Sequence, residues 1–141
     1  MLKIGLSVLL LVMATSGCAA QRCDHCPTLH DIHWKLVGLN GEPAKTFEGD
    51  RETYLQLSID ENRLQGSGGC NRFFGTYELK GETIRFGKIG ATRMYCEDAM
   101  EQEDAFFAML DQATRYRITD NQLELFSGDK PTARFEAIPI P

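Results

Sequence analysis

Gly66-Ser67-Gly68-Gly69-Cys70-Asn71-Arg72-Phe73-Phe74-Gly75-Thr76-Tyr77 places four glycines, one cysteine and three aromatic side chains in a dozen residues. Glycines this close together mark backbone that takes positive φ or runs hard against another segment, while Phe73, Phe74 and Tyr77 bring bulk that needs burial. A bend leading into an aromatic strand meets both demands. Two chemical readings fail here. A phosphate-cradling loop requires Lys and then Ser or Thr after the last glycine, and a dinucleotide turn requires a third glycine where Asn71 stands. A nucleophilic Cys70 requires an activating histidine in the folded domain, yet His25, His30 and His33 all lie near the N-terminus.

Outward from the bend, the chain reads as short strands divided by turns. Residues 34–39 form a first strand stopped by Asn40-Gly41, and residues 43–51 are polar loop. Residues 53–59 alternate, with Leu55, Leu57 and Ile59 on one face and Tyr54, Gln56 and Ser58 on the other. Asp60-Glu61-Asn62 turns this strand into a partner beginning at Arg63, so the pair is a hairpin. Beyond the glycines, Phe73, Gly75, Tyr77 and Leu79 share a face, and Lys80-Gly81-Glu82 turns into a strand over 83–86. A separate strand is predicted over 88–94.

The hydrophobic period then changes from two to about 3.6. A helix is predicted over 97–113, with Met100, Phe107, Leu110 and Thr114 on one stripe flanked by Ala99, Phe106 and Ala113. Glu97, Asp98, Glu101, Glu103 and Asp104 crowd its first turns, where carboxylates complement the helix dipole and are read as solvated. A Met and Phe stripe can line a ligand box, but on one helix of a small domain it is core. Strands over 115–119, 122–126 and 132–138 close the chain. The fold class is therefore mainly β (α+β), a curved antiparallel sheet or incomplete barrel of about eight short strands with one covering helix.

The N-terminus has a different character. Lys3, the apolar run over 4–13 and Ala14-Thr15-Ser16-Gly17 before Cys18 form a secretory signal over residues 1–17. It resembles a bacterial lipoprotein signal, with Thr15 standing where that pattern usually has Leu. The resemblance implies that Cys18 is lipidated. Ala19 after it implies the outer membrane, with the chain lipid-anchored and facing the periplasm. The full chain of 141 residues carries a net charge of −5, which argues against nucleic acid as a partner.

Residues 18–33 read as a polar tether, with the domain occupying 34–141. Within the tether, Cys23, Cys26, His30 and His33 offer ligands suited to Zn(II) or copper. The spacing is tighter than that of a zinc finger, and the competing reading is a local Cys23–Cys26 disulfide. No cofactor is implied.

Several of these residues form a recognisable pattern. Trp34-x-Leu36, then Gly68-Gly69-Cys70-Asn71-x-Phe73-x-Gly75-x-Tyr77, then Ile84-x-Phe86-x-x-Ile89-x-x-Thr92-x-Met94-x-Cys96, then an acidic helix near Met100 and Glu101 followed by Tyr116, resemble the META domain of HslJ-type bacterial proteins. The resemblance runs from Trp34 to Ile138 and leaves out the Cys/His tether. Where members often carry Pro after the second cysteine, this chain has Glu97. The resemblance implies a small antiparallel barrel-like sheet with a helix, and an association with heat-shock or envelope-stress responses and drug tolerance. It supplies no catalytic residue.

Cys70 and Cys96 each fall at a strand end, beside the bend and the helix start respectively, and an oxidising envelope favours their pairing. In the chain-entropy account such a link contributes about 3 kcal/mol. Four thiols allow three pairings, of which Cys23 with Cys26 and Cys70 with Cys96 is the local one. The expected function is a non-enzymatic envelope lipoprotein with a binding or structural role. Its partners are the membrane, through the lipid anchor, and an envelope protein or small apolar ligand. The alternative is a metal-binding or thiol-redox sensor working through the tail.

Overall fold

The computed structural model describes residues 28–49 and 51–138. Its strands are β1 (His33–Leu39), β2 (Glu42–Pro43), β3 (Thr53–Ser58), β4 (Arg63–Gly68), β5 (Arg72–Lys80), β6 (Thr83–Ala91), β7 (Arg115–Thr119), β8 (Gln122–Ser127) and β9 (Lys130–Ile138). Helix α1 (Met100–Gln112) lies between β6 and β7. All pairings are antiparallel, in the order β2-β1-β3-β4-β5-β6-β7-β8-β9, and β1 also pairs with β9. The result is a mostly β, curved nine-stranded sheet whose hydrogen bonds run round in a ring, with a single helix.

The ring is uneven. β1 meets β3 through only Trp34↔Leu55 and Lys35↔Tyr54, and β6 meets β7 only at Thr83↔Arg115. Elsewhere the ladders are long, and the period-two pattern puts one face of each strand inside. On β3, Thr53, Leu55 and Leu57 are buried while Tyr54, Gln56 and Ser58 are half-buried. Ile59, expected on the inner face, is 65% exposed, because the chain has already left the strand for the 3-10 turn at Asp60–Asn62.

Two predicted strands, over 83–86 and 88–94, are one, which ends at Ala91 and leaves 92–94 outside any strand. β6 continues through a bulge where Lys88 takes φ 52°: Thr76 pairs with Gly87 and Phe74 with Gly90, so Lys88 and Ile89 together face Gly75. A residue in the left-handed region reads as a turn in the sequence, yet here it only shifts the register. The helix starts at Met100 rather than Glu97, and its buried residues are Gln102, Glu103, Phe106, Met109 and Leu110. The stripe therefore runs through Ala99, Glu103, Phe106, Leu110 and Ala113, with Phe107 at its margin.

This stripe packs into the ring against Trp34, Leu55, Leu64, Phe73, Ile84, Leu123, Leu125 and Phe135. Aromatic edges make the contact: Phe106 lies 5.6 Å from Phe73 and 6.4 Å from Phe135. The packed unit begins upstream of Trp34. Leu29 is buried, its carbonyl accepts from Trp34 Nε1 at 3.0 Å, and Asp31 N–H donates to Leu57 O at 2.8 Å. The expected tether is thus shorter than 18–33.

Gly66 shows how tightly the bend is packed. A Cβ there would clash with the carbonyl oxygen of Tyr54 and stand 2.7 Å from Phe73 Cζ. The carbonyl cannot move without breaking the β3–β4 ladder. Gly66→Ala is expected to destabilise the domain by about 2–3 kcal/mol, measured as a lower urea midpoint with the slope unchanged.

Tyr77 yields a pH signature. Its hydroxyl donates to Ser58 O at 2.9 Å, and burial, with a smaller contribution from Asp31, pushes the phenol above its ordinary value. A raised value means that the neutral form is favoured in the fold. This contribution is therefore complete below pH about 10 and is lost as pH rises through the elevated value. Tyr77→Phe is expected to remove this part of the alkaline loss, at a cost of about 1 kcal/mol at neutral pH for the missing hydrogen bond. Urea titrations of both proteins across the alkaline range check it.

Candidate functional site

The glycine bend is held by the first turn of α1. Glu103, 3% exposed, accepts from Cys70 N–H at 2.9 Å and Asn71 N–H at 2.7 Å through Oε2, and from Asn71 Nδ2 at 2.6 Å through Oε1. Asn71 passes the linkage on. Its Oδ1 accepts from Met94 N–H at 2.6 Å and Thr92 Oγ1 at 2.9 Å, and its Nδ2 also donates to Met94 O at 3.0 Å. Gly68 must lack a side chain, because a Cβ would stand 2.6 Å from Glu103 Cγ, and Gly69 turns the chain at φ 109°.

Gln102 does the same for the polar loop after β2. Its Oε1 accepts from Lys45 N–H at 2.6 Å while its Nε2 donates to Lys45 O at 3.2 Å and Thr53 Oγ1 at 3.3 Å. At the rim of this loop Arg51 forks onto Asp98, Nη1 to Oδ1 at 3.1 Å and Nη2 to Oδ2 at 2.6 Å. The Arg51 hydrogen bond, more than its charge, holds the Asp98 carboxyl below its ordinary range.

These contacts correct the reading of the helix acids as solvated. Asp98, Glu101 and Asp104 are exposed, but Glu103 is a buried acceptor. A signal for it was present, since Glu103 stands in the apolar stripe at i, i+3 and i+7 with Phe106 and Leu110. Asn71 and Gln102 had no comparable signal, because their partners are backbone groups brought close only by the fold. Among the described residues no buried side-chain nitrogen or oxygen lacks a hydrogen-bond partner, and the partners of this polar cluster are groups of the fold itself.

Cys70 and Cys96 are joined as a disulfide, with S–S 2.02 Å and Cα atoms 5.8 Å apart. Cys18, Cys23, Cys26 and the signal segment lie outside the described residues. His33 stacks on Tyr54 at 4.2 Å and places Nε2 3.3 Å from Glu52 Oε2, which is shared with Lys35 through its second oxygen at 3.1 Å. His30 sits beside Tyr77, with ring centres 5.9 Å apart. The two histidines thus contact different strands. Among the described residues no set of three or more His, Cys, Asp or Glu side chains converges as a metal site.

One open feature of the fold is the seam after Ile84. Ile84 N–H donates to Thr114 O and Tyr116 N–H to Glu82 O, both at 3.0 Å, and there the β6–β7 contact ends. Helix α1 starts beside Asn71 and returns to this point, so it runs antiparallel to β6 and leaves a cleft of ≈ 460 Å³. The cleft is lined by Ile89, Gly90, Ala91 and Arg93 on the strand side and Phe107 and Asp111 on the helix side. Phe74, 65% exposed, lies over Gly90, where a Cβ would meet its ring at 3.1 Å. An exposed aromatic ring thus stands beside a half-apolar cleft on an incomplete strand edge.

A family model described as the META domain matches residues 27–138. No curated protein matches the chain. The chain is similar to a protein from Burkholderia xenovorans solved by NMR, at 26% identity and a TM-score of 0.64, covering 79% of this chain and 85% of that one. A second NMR structure is 25% identical with a TM-score of 0.58, covering 74% of this chain and 87% of the other. A crystal structure of a DUF4847 family protein from Bacteroides vulgatus shares the fold, at 19% identity and a TM-score of 0.55, covering 77% of this chain and 93% of that one.

Proposed function

The chain belongs to the META domain family, and from that membership we propose that it is a non-enzymatic binding protein of the bacterial envelope, tethered through an acylated Cys18, which takes a protein partner at the β6–α1 cleft. The observation that carries the reading is the contrast between two parts of the molecule. The buried polar cluster around Glu103 and Asn71 is consumed by the fold, whereas the β6 edge, Phe74 and the cleft beside Phe107 are open. Binding needs such a surface and no reactive group. The lipoprotein-like signal before Cys18 supports the envelope location, and a part in envelope-stress response or drug tolerance is the physiological role that fits it.

The test is site-specific photo-crosslinking in intact cells, with a photoreactive phenylalanine analogue at Phe74 and, as control, at Lys130, the exposed first residue of β9. A discrete adduct from position 74 and none from 130 is the expected result. Equal or absent adducts at both positions would defeat the reading. Intact mass of the membrane fraction checks the anchor separately: Cys18 without acyl chains removes it.

A further inference from the structure

Resting on that binding reading, we infer that the occupant of the cleft is an extended peptide segment with alternating acidic and apolar side chains, which adds as a strand to the free edge of β6. The backbone sets the first requirement. Ile84 N–H points away from β5, so Phe86, two residues on, does as well. After the bulge, Thr92 N–H donates to Arg72 O on the β5 side, which leaves Ile89 and Ala91 facing outward. Among the described residues no strand pairs with these groups. A row of open donors and acceptors beside a helix is answered by another strand.

Side chains set the second. Ile89 and Phe107 give apolar walls on the inner side, and Phe74 gives an exposed ring on the outer side. Lys88 and Arg93 are exposed and take part in no ion pair among the described residues, while Asp111 is the one acid lining the cleft. Basic groups along the strand side favour carboxylates on alternate positions of the guest, with the intervening side chains turned towards Phe107. A second copy of this chain is disfavoured as the occupant. Two-fold antiparallel pairing of β6 with itself, centred between Gly90 and Ala91, would set Lys88 of each copy against Arg93 of the other.

The experiment titrates the full chain with a short fluorescein-labelled synthetic peptide of alternating Glu and Val, followed by anisotropy and by amide shifts. Saturable binding is expected, with shifts at Phe86, Ile89, Ala91 and along α1. Methylating alternate peptide nitrogens should abolish it, and replacing Glu by Lys in the peptide should weaken it about tenfold or more. Lys88→Glu combined with Arg93→Glu should weaken it by a similar factor. The inference is overturned if the methylated or Lys-containing peptide binds as well as the original, if shifts map elsewhere, or if no binding occurs. Crosslinked partners at Phe74 without peptide binding would retire strand addition while leaving the broader binding reading in place.

Discussion

Glu103→Ala is expected to remove about 4 kcal/mol of stability, as much as the truncation of a fully buried leucine. The carboxylate answers three donors in a site closed to water: two backbone N–H groups of the glycine bend and the Asn71 amide. Truncation leaves the two backbone N–H groups without a partner, each at about 1–3 kcal/mol, takes one of the two acceptors of Asn71 Nδ2, which keeps Met94 O, and adds a small void. Glu103→Gln separates the terms. An amide has one acceptor oxygen, so its NH2 must face either Asn71 Nδ2 or the paired N–H groups. Asn71 cannot turn to accept, because its Oδ1 already receives Met94 N–H and Thr92 Oγ1. The isosteric change should therefore cost about 2–3 kcal/mol, with little change in volume. Urea unfolding of the three proteins checks the series. A Gln variant as stable as the parent would mean that the carboxylate is not the keystone of the bend.

Opening the Cys70–Cys96 link is the second large effect. With a sequence separation of 26, the chain-entropy account assigns it about 3.5 kcal/mol. Cys70→Ala with Cys96→Ala should lose about that amount, and the parent protein in reductant should fall to the same level. The two predictions are coupled. Cys70 N–H is one of the donors held by Glu103, so the disulfide and the carboxylate fix the same few atoms. Combining Glu103→Gln with the double cysteine change should cost less than the separate costs together, by about 1 kcal/mol. Additive losses would show that the bend is not one cooperative unit.

Much of the sheet was legible because burial on one face of a strand imposes a period of two. Leu55 and Leu57 on β3, Phe73 and Tyr77 on β5, and Leu123 and Leu125 on β8 are all inside, as that alternation requires. The pattern failed where the backbone departs from it. Lys88 at φ 52° shifts the phase of β6, so one bulged strand reads as two. Ile59 keeps the phase of β3 but stands past its last paired residue.

The helix illustrates a different limit. Its existence was visible in the change to a 3.6-residue period, but its composition ranked acids as surface, since a buried carboxylate is rare unless donors converge on it. Those donors come from the bend, more than thirty residues earlier in the chain.

By itself the sequence determined the mainly β class with one helix, most of the strands though not β2 or the continuity of β6, the place of the sharp bend, and the family pattern carried by the glycine, cysteine and aromatic residues. These depend on neighbours within a few positions, where side-chain alternation and glycine's freedom act directly. Only the tertiary structure decided that β1 pairs with β9 to bring the ladder round, that β6 and β7 part after Ile84, and that Glu103 faces inward. Each of these depends on groups far apart in the chain, and no local period records which distant backbone will supply the partner for a hydrogen bond.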